Sequence, residues 1–170
     1  MEEAEVMVAD DQRGTAARSE FYRVLSTLFF YPRETATATV QGLVSVLRAQ
    51  LSALPYETAT IDGLAQLLDE VESVAETALL PLKDTYTALF DNCHGRSAVS
   101  LYEKDYRNGD AKMVWEELVR FYEHFGLNFD VSHSHDWPDH IGVELEFLHY
   151  LTFLEAGAPE TDRHVYIQAQ

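Results

Sequence analysis

Trp137-Pro138-Asp139-His140-Ile141-Gly142-Val143-Glu144-Leu145-Glu146-Phe147-Leu148 is the stretch from which the rest of the chain is read. Pro138 suits the start of a helix, where a missing N–H leaves nothing unpaired. Asp139 is then available as the cap, its carboxylate accepting a first-turn amide at the positive end of the helix dipole. The helix is expected to run to Ala156 and stop at Gly157, with Pro159 just beyond.

At about 100° per residue, Ile141, Leu145, Leu148 and Thr152 share one side, with Leu151 and Glu155 at its edge. Glu144 falls inside this apolar stripe and His140 at its margin, whereas Glu146, His149, Tyr150 and Phe153 point away. A carboxylate in such a stripe needs a hydrogen-bond or charge partner, or it takes up a proton. Residue types alone favour a helix cap plus a structurally paired Glu–His couple.

Working outward, the periodicity stays helical. Residues 1–14 are acidic and aperiodic and read as a mobile arm. From Thr15, Phe21, Leu25, Leu28 and Phe29 recur at helix spacing until Pro32. Val40, Leu43, Val44, Leu47, Leu51 and Leu54 form a second face, closed by Pro55. A third helix starts near Asp62, with Leu64, Leu67, Leu68, Val71, Val74 and Ala78. Pro81 permits a new start, continued by Leu82, Tyr86, Leu89 and Phe90. Asp91 to Asn108 is long for a connection in a helical domain. After it, Asp110 is a possible cap for a helix with Val114, Leu118, Phe121, Tyr122 and Phe125, ended by Gly126. No alternating strand pattern and no repeat is found. The fold class is all-α: residues 15–170 form one helical-bundle domain of about six or more helices.

Composition narrows function. The 170 residues, 46% hydrophobic, suit one globular core. A single cysteine, Cys93, excludes an internal disulfide and fits a reducing cytoplasm. No apolar run approaches the ~20 residues of a membrane span, and the acidic N-terminus is unlike a signal peptide. Twelve basic and 29 acidic residues give a net charge of -17, which disfavours nucleic acid and anionic membranes as partners. Only Lys83, Lys104 and Lys112 are lysines, a balance expected in a high-salt cytoplasm, where repulsion within an acidic surface is screened.

Several pieces then coincide in order: Phe21-Tyr22, Leu28-Phe29 and Pro32; Tyr86-Thr87-Ala88-Leu89-Phe90; Ser100-Leu101-Tyr102-Glu103; Phe121-Tyr122 and Gly126-Leu127; and Pro138-Asp139-His140-Ile141 with Glu144-Leu145. Over most of residues 18 to 156 the series resembles the TorD-like family, all-helical cytoplasmic chaperones for molybdenum oxidoreductases of the dimethyl sulfoxide, trimethylamine oxide and nitrate reductase branches. The resemblance implies binding rather than catalysis, with no cofactor. The expected partner is the immature catalytic subunit of a molybdopterin-dependent oxidoreductase, held until its cofactor is inserted and export can follow. It also implies that Asp139 and His140, with Pro138 and Glu144, bind a twin-arginine signal peptide. Tyr86, Leu89, Phe90, Tyr102 and Glu103 match neighbouring motif positions that line or shape the groove.

Such a signal joins a guanidinium pair to an apolar segment, so carboxylates beside an apolar groove suit it. Asp139 and Glu144 are the expected polar end; Leu89, Phe90, Tyr102 and Trp137 are expected to receive the apolar part. The family continues with further C-terminal helices, whereas this chain stops at Gln170 after a segment that reads as a short or truncated final helix. It also lacks the proline-rich approach to the Ser100–Glu103 region. Family members exchange helices, so a monomer or a helix-exchanged dimer is expected, with Asp91–Asn108 as the hinge.

The principal rival is a metal-binding helical protein using His133, His135, His140 and Glu144, a His-x-His pair followed by a His-x-x-x-Glu pair one turn apart. Glu146 and His149 read as Glu-x-x-His, but no second copy exists for a di-iron site. Cys93-His94 lacks a third orienting residue for nucleophilic catalysis.

Overall fold

In a computed structural model, the backbone is described for residues 2–32, 37–77, 80–90, 98–130 and 136–170; side-chain surroundings are described for 12–32, 40–73, 83–90, 98–130 and 136–170. The described chain is all-α: α1 (Glu2–Phe29), α2 (Thr37–Gln50), α3 (Thr58–Thr77), α4 (Leu80–Phe90), α5 (Ala111–His124), α6 (Ile141–Gly157) and α7 (Arg163–Ala169), with two short 3-10 turns. The expected helical bundle is therefore present. Helix α1 begins at Glu2, well before the expected start at Thr15.

Where a helix uses one face, its sequence pattern is realised. Val40, Val44, Leu47, Leu51 and Leu54 are buried in the first core cluster with Ala17, Phe21 and Val24 of α1 and Leu68 of α3. Leu67, expected on the same α3 face, is instead exposed. Asp110 caps α5 by accepting from the Lys112 amide at 3.0 Å. Gly126, at φ +83°, ends that helix in the left-handed conformation that glycine adopts freely. Along α5, Val114 and Tyr122 are buried, whereas Phe121, expected on the same face, is exposed.

Helix α6 departs from its expected single stripe. It packs along α1 on one side, while Tyr122, Phe147 and Leu151 form a second core cluster joined by Phe125 and Tyr166 on another. A helix covered from two sides has no single apolar face. Phe147, Leu151, Thr152 and Glu155 hold its buried positions; Ile141, Leu145 and Leu148 are only half-buried. His149 and Tyr150, expected to point away, reach neighbours: His149 Nδ1 pairs with the Ser19 hydroxyl at 2.8 Å, and Tyr150 donates to the Phe125 carbonyl.

Three polar links hold α1 to α6. The Ser26 hydroxyl donates to the Gly142 carbonyl at 2.8 Å, His149 meets Ser19, and Glu155 accepts from Thr15 (2.9 Å) and Arg18 (2.8 Å). Gln170 closes the last link, donating to Glu155 at 2.7 Å and accepting from Arg18 at 2.7 Å. Residues 163–169 form the seven-residue helix α7.

Candidate functional site

The turn before α6 is built by a single antiparallel bridge between Tyr102 and His140. The Glu103 amide donates to the Asp139 carbonyl (2.9 Å), and the Ile141 amide to the Leu101 carbonyl (2.8 Å). This pairing fastens the end of the 98–108 connection to the start of α6 and gathers Tyr102, Glu103, Pro138, Asp139, His140 and Glu144. Tyr122, buried in α5, donates its phenol O–H to the Pro138 carbonyl at 2.8 Å.

Asp139 does not cap α6. The cap is His140, whose Nδ1 accepts from the Gly142 amide at 3.0 Å. Asp139 is turned instead toward α5, where its carboxylate is 0% exposed. Trp115 Nε1–H donates to Oδ1 at 2.6 Å and the Lys104 amide to Oδ2 at 3.2 Å. A buried carboxylate is tolerable only when its oxygens are satisfied in this way. Trp115 is thus the residue that fixes Asp139.

His140 is buried between Phe30, stacked on it at 5.2 Å, and Tyr102, edge-on at 5.2 Å. Because Nδ1 accepts a hydrogen bond, the ring proton sits on Nε2, directed toward Asp136 Oδ2 at 3.8 Å. Burial pushes the imidazole pKa down, against the opposing pull of Asp136 and Asp139, which favours the neutral ring. Tyr102 donates to Asp136 at 2.7 Å; burial, with that bond, pushes its phenol pKa up. The His140–Glu144 couple expected from spacing is absent from the side chains; only the Glu144 amide meets the His140 carbonyl.

Gly142 explains the closeness of the stack. A Cβ there would meet Phe30 Cζ at 2.9 Å and His140 Nδ1 at 3.0 Å. A glycine inside a helix start was the one available signal of such an approach.

Glu144 is half-buried and its Oε1 has no hydrogen-bond partner among the described residues. Burial, with the negative charges of Glu103 and Asp139, raises its pKa to about 7, against the pull of Arg107. Arg107 is itself engaged by Glu103 (3.1 Å) and Glu117 (2.8 Å).

The second group of motif residues lies at the end of α4. Tyr86 donates to the Phe29 carbonyl at 2.8 Å and meets Phe90 edge-on at 5.0 Å, while the Leu89 carbonyl accepts from the Val99 amide. Since Phe30 follows Phe29 and stacks on His140, the end of α1 joins this group to the first. Trp137 is 43% exposed and stacks on Trp115 at 4.3 Å with planes 10° apart. The two indoles wall an apolar cleft of about 330 Å³ with Val119, Phe129 and Pro138. A larger cleft, about 580 Å³, shares Phe129 and is lined by Phe30, Tyr122, Val143, Phe147 and Tyr150. Leu89, Phe90 and Tyr102 line neither.

Residues 48–170, which include every motif residue from Tyr86 to Glu144, match the nitrate reductase delta subunit family. The chain belongs to that family. The resemblance to TorD-like chaperones is thereby borne out. A chlorate reductase assembly chaperone protein of Ideonella dechloratans is 37% identical over 78 residues, 45% of this chain and 40% of that relative. A selenate reductase assembly chaperone protein of Thauera selenatis is 36% identical over 83 residues, 48% of this chain and 42% of the relative. The matches thus span under half the length of these curated relatives. A candidate redox enzyme maturation protein from Archaeoglobus fulgidus shares the fold, with a TM-score of 0.51, 19% identity, and coverage of 87% of this chain and 90% of that one.

The rival metal reading gains no support. Among the described residues no group of three or more His, Cys, Asp or Glu side chains is placed to hold a metal ion. His133 and His135, like Cys93 and His94, lie outside the described residues. Among the described residues no helix is long and apolar enough to cross a membrane.

Proposed function

We propose that this protein is an assembly chaperone that binds an immature molybdenum oxidoreductase in the cytoplasm, through its twin-arginine signal peptide, apoenzyme surface, or both. It acts by binding, assisting cofactor insertion and delaying export, and it catalyses no reaction itself. The names of the two curated relatives support the chaperone role. One observation carries the peptide-binding reading: the exposed Trp137 is stacked on the indole that fixes the buried Asp139 carboxylate. An apolar wall and a held negative charge therefore share one rigid unit, and Glu103, Asp136 and Glu144 add acidity around it.

This geometry supports a different division of labour from the one expected from sequence. Trp137 and the cleft beside it, with Trp115 and Phe129, receive the apolar segment in place of Leu89, Phe90 and Tyr102. Asp139, His140 and Pro138 hold the turn that presents this wall; the guanidinium pair meets the carboxylates around it. The net charge of -17 suits a salt-rich cytoplasm. There the screening length falls to about 3 Å near 1 M salt, so contact pairing and apolar burial carry recognition rather than long-range steering.

The test is calorimetric titration with a synthetic peptide of two arginines followed by an apolar segment, in 0.1 M and 1 M salt. Trp137→Ala removes the exposed wall and should weaken binding about tenfold with the helical content unchanged. Wild-type affinity should largely survive the higher salt. No binding by the wild type, or equal binding by the variant, overturns the reading.

A further inference from the structure

The side chain of Lys104 occupies a position that the binding reading leaves unexplained. Its ammonium lies 4.0 Å from the centre of the Tyr102 ring and 5.4 Å from that of Trp115. It is 3.9 Å from Asp139 Oδ2, and the side chain is 24% exposed. Two aromatic faces and a buried carboxylate around one cation make an organic-cation box of a recurring kind. Trp115 serves it twice, as a π face and as the donor that orients Asp139, and Trp137 backs that indole by stacking.

Lysine is a poor occupant of this box. A charge-assisted N–H···O bond spans about 2.7–2.9 Å, and the ammonium stands a full ångström beyond that. An ammonium is compact and strongly hydrated. A guanidinium is planar, more weakly hydrated, and both stacks on aromatic rings and pairs with a carboxylate through two N–H groups. Lys104 can also leave without undoing the turn. The bonds that hold it, from the Asp105 amide to the Tyr102 carbonyl, from the Tyr106 amide to the Glu103 carbonyl and from the Lys104 amide to Asp139 Oδ2, use none of the Lys104 side chain.

We propose that Lys104 is a resident plug in a guanidinium-binding box formed by Tyr102, Trp115 and Asp139, and that an arginine of the partner enters by displacing the Lys104 ammonium into solvent. The inference rests on the peptide-binding reading above for its natural ligand, and it goes further by assigning the chain's own lysine as the competitor. It also gives Asp139 a direct role despite its burial, since the group lying against Oδ2 is the one that moves. Arginine is selected over lysine because a lysine of the partner only replaces like with like.

The box is tested apart from any peptide by titrating ethylguanidinium and ethylammonium into the full chain and following tryptophan emission. Lys104→Ala should bind ethylguanidinium about tenfold more tightly than wild type and prefer it to ethylammonium. Lys104→Arg should return to wild-type weakness, and Asp139→Asn in the Lys104→Ala background should abolish the gain. Lys104→Gln, which keeps part of the stem, repeats the test if the alanine loosens the turn. Unchanged or weaker guanidinium binding in both uncharged variants overturns the proposal, as does a gain that survives Asp139→Asn. The arginine-pair peptide separates the two readings. Peptide binding that is equal in wild type and Lys104→Ala overturns the plug and leaves peptide binding standing. Tighter ethylguanidinium with no peptide binding in either protein keeps the box and removes the signal-peptide reading.

Discussion

Glu144 and Glu155 lie on the same helix, eleven positions apart in its numbering, and face opposite conditions. Glu155, 2% exposed, accepts from Thr15, Arg18 and Gln170, so both of its oxygens are used and its charge is matched. Glu144 is half-buried beside Glu103 and Asp139, and its Oε1 has no partner among the described residues. The first carboxylate ties the end of α6 to α1 and α7. The second stands where polar capacity is left over, next to the motif residues. A buried carboxylate with both oxygens satisfied acts as a structural joint, whereas buried carboxylates with raised pKa values are found more often at functional sites.

The comparison breaks most readily at its structural end. Arg18→Ala would leave the Glu155 carboxylate buried with its charge partner gone. Removing one member of a buried pair costs more than the pair's net worth, because the other charge stays desolvated. A loss of about 3 kcal/mol is expected, read from urea denaturation at neutral pH. Arg18→Ala with Glu155→Leu should recover most of it, since an apolar side chain of similar volume suits that site. A loss below about 0.5 kcal/mol would show that this joint is no more than a surface ion pair.

Between the two lies Asp139, buried like Glu155 but satisfied by neutral donors. Trp115→Phe keeps an aromatic face while removing the N–H from Oδ1. It should cost about 2 kcal/mol, the penalty of an orphaned buried acceptor, and disturb the Trp137 stack. Its signature is the loss of the exciton couplet of the stacked indole pair in far-ultraviolet circular dichroism. An unchanged midpoint would mean that Asp139 does not depend on this donor.

These joints also mark where sequence reading ran out. The run from Val40 to Leu54, which α2 and the 3-10 turn after it form, was legible because one period and one stop, Pro55, describe a segment buried on one side. The Asp110 cap and Gly126 stop were legible for the same local reason. Helix α6 was legible as a helix, with its end at Gly157, but not in its facing. Covered by α1 on one side and by the Tyr122 cluster on another, it buries Phe147 outside the expected stripe and Leu151 at its edge. The motif residues were legible through family resemblance, while the wiring between them was not. Arg18 and Glu155 are separated by 137 positions, and Trp115 and Asp139 by 24, so no spacing rule relates them. Asp139 was given the cap because an aspartate before a helix usually takes it; once Trp115 and Lys104 claim its oxygens, the adjacent imidazole caps instead.

The smallest effect tests the functional end of the comparison. In the folded protein burial raises the Glu144 pKa to about 7, above the ordinary value of 4.5. The folded state therefore holds this proton more tightly than the unfolded chain does. Its contribution is fully present below pH 4.5 and is lost as pH rises through 7, where the carboxylate must ionise beside Glu103 and Asp139. Solvent screening of a half-exposed group limits the loss to about 1 kcal/mol. Glu144→Gln, which keeps the shape of the protonated acid, should match wild type at pH 5 and exceed it by about 1 kcal/mol at pH 8. Measuring the difference between the two proteins removes the shared titration of the other carboxylates. A difference independent of pH would place Glu144 among the satisfied carboxylates with Glu155, and the contrast between the two ends of α6 would collapse. A difference that vanishes only when the arginine-pair peptide is bound would show that the partner supplies the missing positive charge.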